Sequence, residues 1–264
     1  MLQKFPIALV QRRCHGVIAG VLGVPLNKGQ PRGGVERGPQ TLRSHDLIRE
    51  LSKYCASVTD IGDFEEAEYE ESAGRIKNPI SVGQNNLRLS RQVAENLETF
   101  KPLINIGGDH SMAIGTISGT ARYLGTAPAV IWVDAHADIN PPELSPSGNL
   151  HGTPMSFLLK ELEGIMKPLD GFEWVKRMIS SNDIAYIGLR DVDDVELEIL
   201  RKYNIQAYDM KDIDDHGIQN ILQKCLEKID PTNDRPIHLS FDIDAMDPAL
   251  APATGTPVRG GLYR

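Results

Sequence analysis

A chain of 264 residues with 41% apolar and 24% charged residues has material for one large domain and a sizeable core. Its net charge of −8 argues against a nucleic-acid partner, which needs basic surface, and no apolar run is long enough to span a membrane. Three widely spaced cysteines, Cys14, Cys55 and Cys225, make neither a zinc knuckle nor a disulfide framework and suit a reducing compartment.

The first acid is Glu36, with Lys4, Arg12 and Arg13 before it. A basic, acid-free start fits an ordinary terminus, hence a cytoplasmic protein, or alternatively a mitochondrial presequence. "HGVIAGVLGVP" already has a core-strand pattern, which leaves little room for a leader. Further short apolar runs follow at 57–61 (weaker), 103–106, 130–133, 184–189, 205–208 and 237–241, bounded by Gly, Pro or Asp. Such runs suit parallel strands covered on both faces. Between them lie helical stripes: Leu47, Ile48, Leu51, Tyr54 and Cys55; a segment over 85–97; and Ile218, Ile221, Leu222, Cys225, Leu226 and Ile229. Strand–helix alternation without a repeat or low-complexity linker predicts one α/β domain with a mainly parallel sheet. Two loops rich in turn residues, 27–38 and 141–148, are expected to rim a site at its carboxyl edge.

Three runs end alike. "LINIGGDH" closes on Asp109 and His110, "VIWVDAHAD" on Asp134, His136 and Asp138, and "IHLSFDIDAMDP" on Asp242, Asp244 and Asp247. In a parallel sheet these ends share one edge, and residues two apart in an extended segment point to one side. Asp134, His136 and Asp138 are therefore expected to converge with Asp242 and Asp244. Any one of these acids alone reads more simply as a turn former or helix cap; three such endings together point to cations. Clustered carboxylates demand counter-ions, and a thiolate-free set favours Mn²⁺ or a similar ion over structural zinc. Two divalent ions would balance Asp134, Asp138, Asp242 and Asp244, with His110 and His136 adding neutral nitrogens. His15, His45, His216, His238, Trp174 and Tyr203 have no such setting and read as packing or surface residues.

The blocks "GGDHSMAIG", "WVDAHADIN", "SGNLHGTPMSFLL", "YIGLRDVD" and "SFDIDAMDPALAPATGTPVRGG" resemble the arginases, within the ureohydrolases, and the resemblance runs over nearly the whole chain. It implies a three-layer α/β/α fold and two Mn²⁺ ions that hydrolyse L-arginine to L-ornithine and urea through a metal-bridging hydroxide. By motif, His110, Asp134, Asp138 and Asp242 would hold one ion, and His136, Asp244 and the shared Asp134 and Asp242 the other. Asp138 would pass the proton to the leaving amine and His151 would exchange protons with solvent. Asn140 and Ser147 would read the substrate α-carboxylate, Asp193 the α-ammonium, and Thr256 would line the cleft. Agmatine lacks that carboxylate, so Asn140 and Ser147 favour arginase over agmatinase.

Family members continue for several dozen residues past the position of "GGLYR". That segment carries a central strand, a guanidinium-pairing acid, a closing helix and much of a trimer contact. The expectation is thus a single arginase-like domain over 1–264, C-terminally incomplete and lacking the last strand and helices, with the homotrimer weakened. Alternatives are a catalytically impaired metal-binding form, or an agmatinase or other ureohydrolase.

Overall fold

The computed structural model describes residues 16–263. The basic residues Lys4, Arg12 and Arg13, with Cys14 and His15, lie outside them. Among the described residues, seven strands form two all-parallel sheets. In the first, β1 (Ile18–Val24) lies between β2 (Ser57–Asp63) and β3 (Leu103–Gly107). In the second the order is β6-β5-β4-β7, from β4 (Ala129–Val133), β5 (Ile184–Leu189), β6 (Gln206–Asp209) and β7 (Ile237–Phe241). The expected runs are all present, 184–189 and 237–241 over the same spans and the others with one or both ends shifted by one or two residues.

Strand β4 shows why the fold has three layers. All five of its residues are buried, so both faces need a cover. Val130 and Trp132 join the core beneath a helix over Ala113–Leu124, while Ala129, Ile131 and Val133 pack on Ile221, Cys225 and Ile229 of the helix Ile218–Ile229. In chain order the helices are α1 (Gly38–Ser44), α2 (Leu47–Leu51), α3 (Pro79–Thr99), α4 (Ala113–Leu124), α5 (Pro154–Leu158), α6 (Asp194–Lys202), α7 (Met210–His216) and α8 (Ile218–Ile229). The α8 stripe is only half buried: Ile218 and Leu222 remain exposed.

Helix α3 begins earlier than the 85–97 expectation because Pro79 supplies a preset first turn. It crosses α4 closely: a Cβ at Gly115 would sit 2.8 Å from the Asn86 carbonyl, and one at Gly119 would sit 2.7 Å from that of Ser90. Helix α2 is shorter than its stripe and stops at Leu51, continuing as turns.

Strands β3 and β7 each pair on one side only among the described residues, in place of one continuous sheet. His238 of β7 turns toward α4, where its Nδ1 lies 3.1 Å from the Thr120 hydroxyl. The alternate residues Ile237, Leu239 and Phe241, with Ile243 beyond them, are exposed. No helix among the described residues is long and apolar enough to cross a membrane.

Candidate metal centre

The ligand geometry begins with turns. Asp109 caps the short 3₁₀ turn His110–Met112 by accepting the Ser111 N–H at 2.9 Å, and its other oxygen takes the Gly29 N–H at 2.8 Å. Its carboxylate is thereby committed to shaping the backbone that presents His110. After β4, Asp134 accepts the N–H of His136 at 2.8 Å. After β7, Asp242 accepts the Asp244 N–H at 2.9 Å and caps the turn Ile243–Ala245. Asp247, the last acid of that ending, stays out of the cluster: it accepts the N–H groups of Ala249, Gly260 and Gly261.

Convergence follows. His110 Nδ1 lies 3.0 Å from Asp134 Oδ2, 3.1 Å from Asp138 Oδ2 and 3.0 Å from Asp242 Oδ2. His136 Nδ1 lies 3.4 Å from Asp134 Oδ1 and 3.2 Å from Asp244 Oδ2. Asp134, buried at the end of β4, thus faces one imidazole with each oxygen. Two ligand triads result, His110–Asp134–Asp138 and Asp134–His136–Asp244, with ligand atoms within 4.8 Å of one another in each.

The period-two argument predicted this meeting, but the backbone achieves it differently. Strand β4 ends at Val133, and Asp138 adopts a left-handed φ of 50°. A turn, not an extended run, brings Asp138 alongside Asp134.

The electrostatics show a site short of positive charge. Burial raises the carboxyl pKa of Asp134, with Asp242 adding to it, and holds that of Asp138 well above the usual range, with Asp134 adding. Burial works against a charged His136, yet hydrogen bonds to Asp134 and Asp244 push its imidazole up to about 11. Asp244 likewise overcomes its burial through His136 and falls to about 2. Protons thus do what cations would do at the same place.

A cleft of about 120 Å³ opens over the cluster, lined by His136, Asp138, Asn140, His151, Gly152, Asp191, Asp193, Glu196, Asp242, Asp244 and Thr256. Thr256 donates to Asp244 Oδ2 at 2.9 Å, and Asn140 Nδ2 to Asp193 Oδ2 at 2.7 Å. Burial lowers the pKa of His151, whose backbone N–H is tied to the Gly29 carbonyl at 2.9 Å. Ser147 does not line the cleft; its hydroxyl accepts the Asn149 N–H at 3.2 Å.

Sequence reasoning missed Asp191 and Glu196. Asp191 Oδ2 stands 3.6 Å from His136 Nε2. Buried Glu196 accepts the Ile139 and Asp193 N–H groups, and its burial raises the carboxyl to about 7. Two signals were available: β5 also runs into acids, Asp191 and Asp193, and Asp193 with Glu196 three residues on forms a capping box for α6.

The family model described as "Arginase family" matches residues 18–264. The chain belongs to the arginase family. It is 49% identical over 262 residues to "Arginase, non-hepatic 3" of Xenopus laevis, covering 98% of this chain and 72% of that one. With human "Arginase-2, mitochondrial" it shares 47% over 266 residues, 97% of this chain and 75% of that one. The crystal structure of Entamoeba histolytica arginase in complex with L-ornithine superposes with a TM-score of 0.81 at 32% identity, over 94% of this chain and 83% of the other. The chain is an arginase-type hydrolase with the arginase-like parallel α/β fold, spanning about three quarters of those two curated relatives.

The cluster fits the metal dependence of this arginase family. His110 Nδ1 is buried and has no hydrogen-bond partner at good geometry, although three carboxylate oxygens surround it at about equal distance. One N–H cannot serve three acceptors; a cation among four donors can.

Proposed function

We propose that this chain hydrolyses L-arginine to L-ornithine and urea at a centre of two Mn²⁺ ions. The observation that carries this reading is the shared Asp134, with one oxygen toward each imidazole. His110, Asp134, Asp138 and Asp242 would hold one ion, and His136, Asp244, Asp134 and Asp242 the other. Oxygen-rich, thiolate-free donors favour manganese. Bound there, the ions would supply Lewis acidity and bring the pKa of a shared water toward neutrality.

The chain's own groups supply the rest. Asp138 lines the cleft beside His110 and is placed to deliver a proton to the departing amine of ornithine. His151, whose pKa burial lowers, lines the cleft and can accept a proton there and release it to solvent. Asp193 offers a carboxylate to the α-ammonium. Asn140 donates one N–H to Asp193 and keeps a buried Oδ1 with no partner, so its remaining donor and acceptor face the amino-acid end of the substrate. Ser147 sits farther along the same loop and would reach the α-carboxylate through a closer approach of that loop. Thr256 steadies Asp244.

The test is urea release by purified chain with Mn²⁺, assayed side by side on L-arginine, agmatine and other guanidino acids. Turnover of L-arginine above the others is expected. Preference for agmatine would replace the substrate assignment, and metal uptake without any urea would leave a binding protein in place of an enzyme.

A further inference from the structure

The turn that carries Asp244 has little to hold it by itself. Ile243–Ala245 is a three-residue 3₁₀ turn, and such turns have poor internal hydrogen bonds. Yet Asp244 is buried and stands 3.2 Å from His136. Something outside the turn must fix it.

Resting on the metal reading above, we propose that Arg190 is a positioning residue that sets the metal affinity of the His136–Asp244 half of the centre. Arg190 follows directly on β5. Its Nη2 donates to the carbonyls of Asp244 at 2.5 Å, Val258 at 2.8 Å and Met246 at 3.4 Å. Its Nη1 donates to Gly188 at 3.2 Å and Ala245 at 3.4 Å. Every one of these acceptors is a backbone carbonyl, although Asp244, Asp134, Asp247 and Asp191 are all close enough to act on the guanidinium by charge. The planar fork is spent on geometry: it gathers three consecutive carbonyls of the Asp244 turn and ties them to β5 and to residue 258.

The opposite side of the turn is closed by the segment 258–262. Leu262 donates to the Ala245 carbonyl at 2.8 Å and accepts the Asp247 N–H at 3.0 Å. The Asp247 carboxylate takes the N–H of Gly260 at 2.7 Å and of Gly261 at 3.3 Å. There is no room between the two sides: a Cβ at Gly261 would lie 2.6 Å from Arg190 Nη2 and 2.7 Å from the Ala245 carbonyl. The turn is therefore held from both sides, and that grip fixes the backbone of Asp244 while the Thr256 hydroxyl and the Ala135 N–H hold its carboxylate.

Arg190 has no hydrogen bond to His110, Asp134 or Asp138, so its loss should be felt unequally. The experiment titrates the 264-residue chain with Mn²⁺ by calorimetry, following spin coupling of the bound ions by electron paramagnetic resonance. The wild-type chain is expected to take two ions with a coupled signal. Arg190→Met and Arg190→Lys should keep one ion at wild-type affinity and bind the second about 10–100-fold more weakly, losing the coupled signal. Lysine keeps the charge but not the fork, so full rescue by Arg190→Lys would overturn the positioning role in favour of charge alone. Wild-type affinity for both ions in both variants, or equal weakening of both, would also overturn it. Should Arg190→Met not fold, Gly261→Ala presses on the same turn and must show the same asymmetry. A wild-type chain that takes fewer than two ions overturns the metal reading itself, and this one with it, before any variant is compared.

Discussion

The indole N–H of Trp132 donates to Asp134 Oδ2 at 3.0 Å, while its ring stacks on His110 with centroids 4.3 Å apart. One core side chain thus orients two proposed ligands that arrive from different strands. Trp132→Phe keeps an aromatic ring for the stack and removes the donor. Outer partners of this kind typically account for 10–100-fold in metal affinity. A loss of at least about tenfold in Mn²⁺ affinity is expected, with the far-UV spectrum unchanged. Calorimetric titration reads it, and an affinity equal to wild type would deny the indole any part in aiming Asp134.

Asp138 is a carboxylate that the metal-free fold tolerates poorly, because burial and Asp134 both oppose its charge. Its left-handed φ of 50° is one that asparagine also adopts readily. Asp138→Asn should therefore relieve charge without straining the backbone. In chelator the variant is expected to melt roughly 2–4 °C higher, as about 1 kcal/mol implies for a domain of this size. Added Mn²⁺ should raise its melting temperature less than it raises that of the wild type. Paired melts with Mn²⁺ and with chelator decide the matter; a variant less stable than wild type in chelator would show that no charge strain is stored there.

The fold was legible where burial is two-sided. Residues 184–189, all buried, form a strand over that same span because an apolar run between punctuating residues has few other uses; 237–241 does so too, although its Ile237, Leu239 and Phe241 are exposed. The gathering of these side chains was legible for a related reason: acids and imidazoles at the ends of buried strands have no solvent to dissolve into. What stayed hidden depends on contacts remote in sequence. Nothing local marks Asp109 and Asp247 as backbone caps while Asp134 and Asp244 join the cluster; the partners that decide it are Gly29, 80 residues away from Asp109, and Gly260 and Gly261 beside Asp247. Ser147, expected to read substrate, lies outside the cleft lining, where its hydroxyl accepts the Asn149 N–H within its own loop. Arg190 lies within "YIGLRDVD", but the carbonyls it gathers, from residues 244–246 and 258, are more than fifty residues away in sequence.

Exposed apolar side chains on a strand whose far edge pairs with no described residue favour self-association. Leu239 is 60% exposed at the middle of β7, flanked by Ile237 and Phe241. Leu239→Lys should change stability by less than about 0.5 kcal/mol, as surface substitutions usually do. Light scattering against concentration should show weaker association than in the wild type. A loss of several kcal/mol in denaturant unfolding would instead mean that Leu239 is covered in solution.

His238 makes stability depend on pH in a direction that can be worked out. Its ring sits against Thr120 of α4, and burial first, then the charge of His110, lowers its pKa to about 4. Above pH 6.5 the imidazole is neutral whether the chain is folded or unfolded, so it contributes no pH dependence. As the pH falls from 6.5 toward 4, the unfolded chain takes up the proton that the folded chain refuses, and stability is lost over that window. The loss attributable to this residue is about 1–2 kcal/mol by pH 5, allowing for the part of the ring that meets solvent. His238→Gln keeps a polar partner for Thr120 without a titrating group. Urea unfolding at pH 7 and pH 5 should therefore show a smaller drop for the variant than for the wild type. Equal drops would mean that the imidazole is already protonated in the folded chain at pH 5.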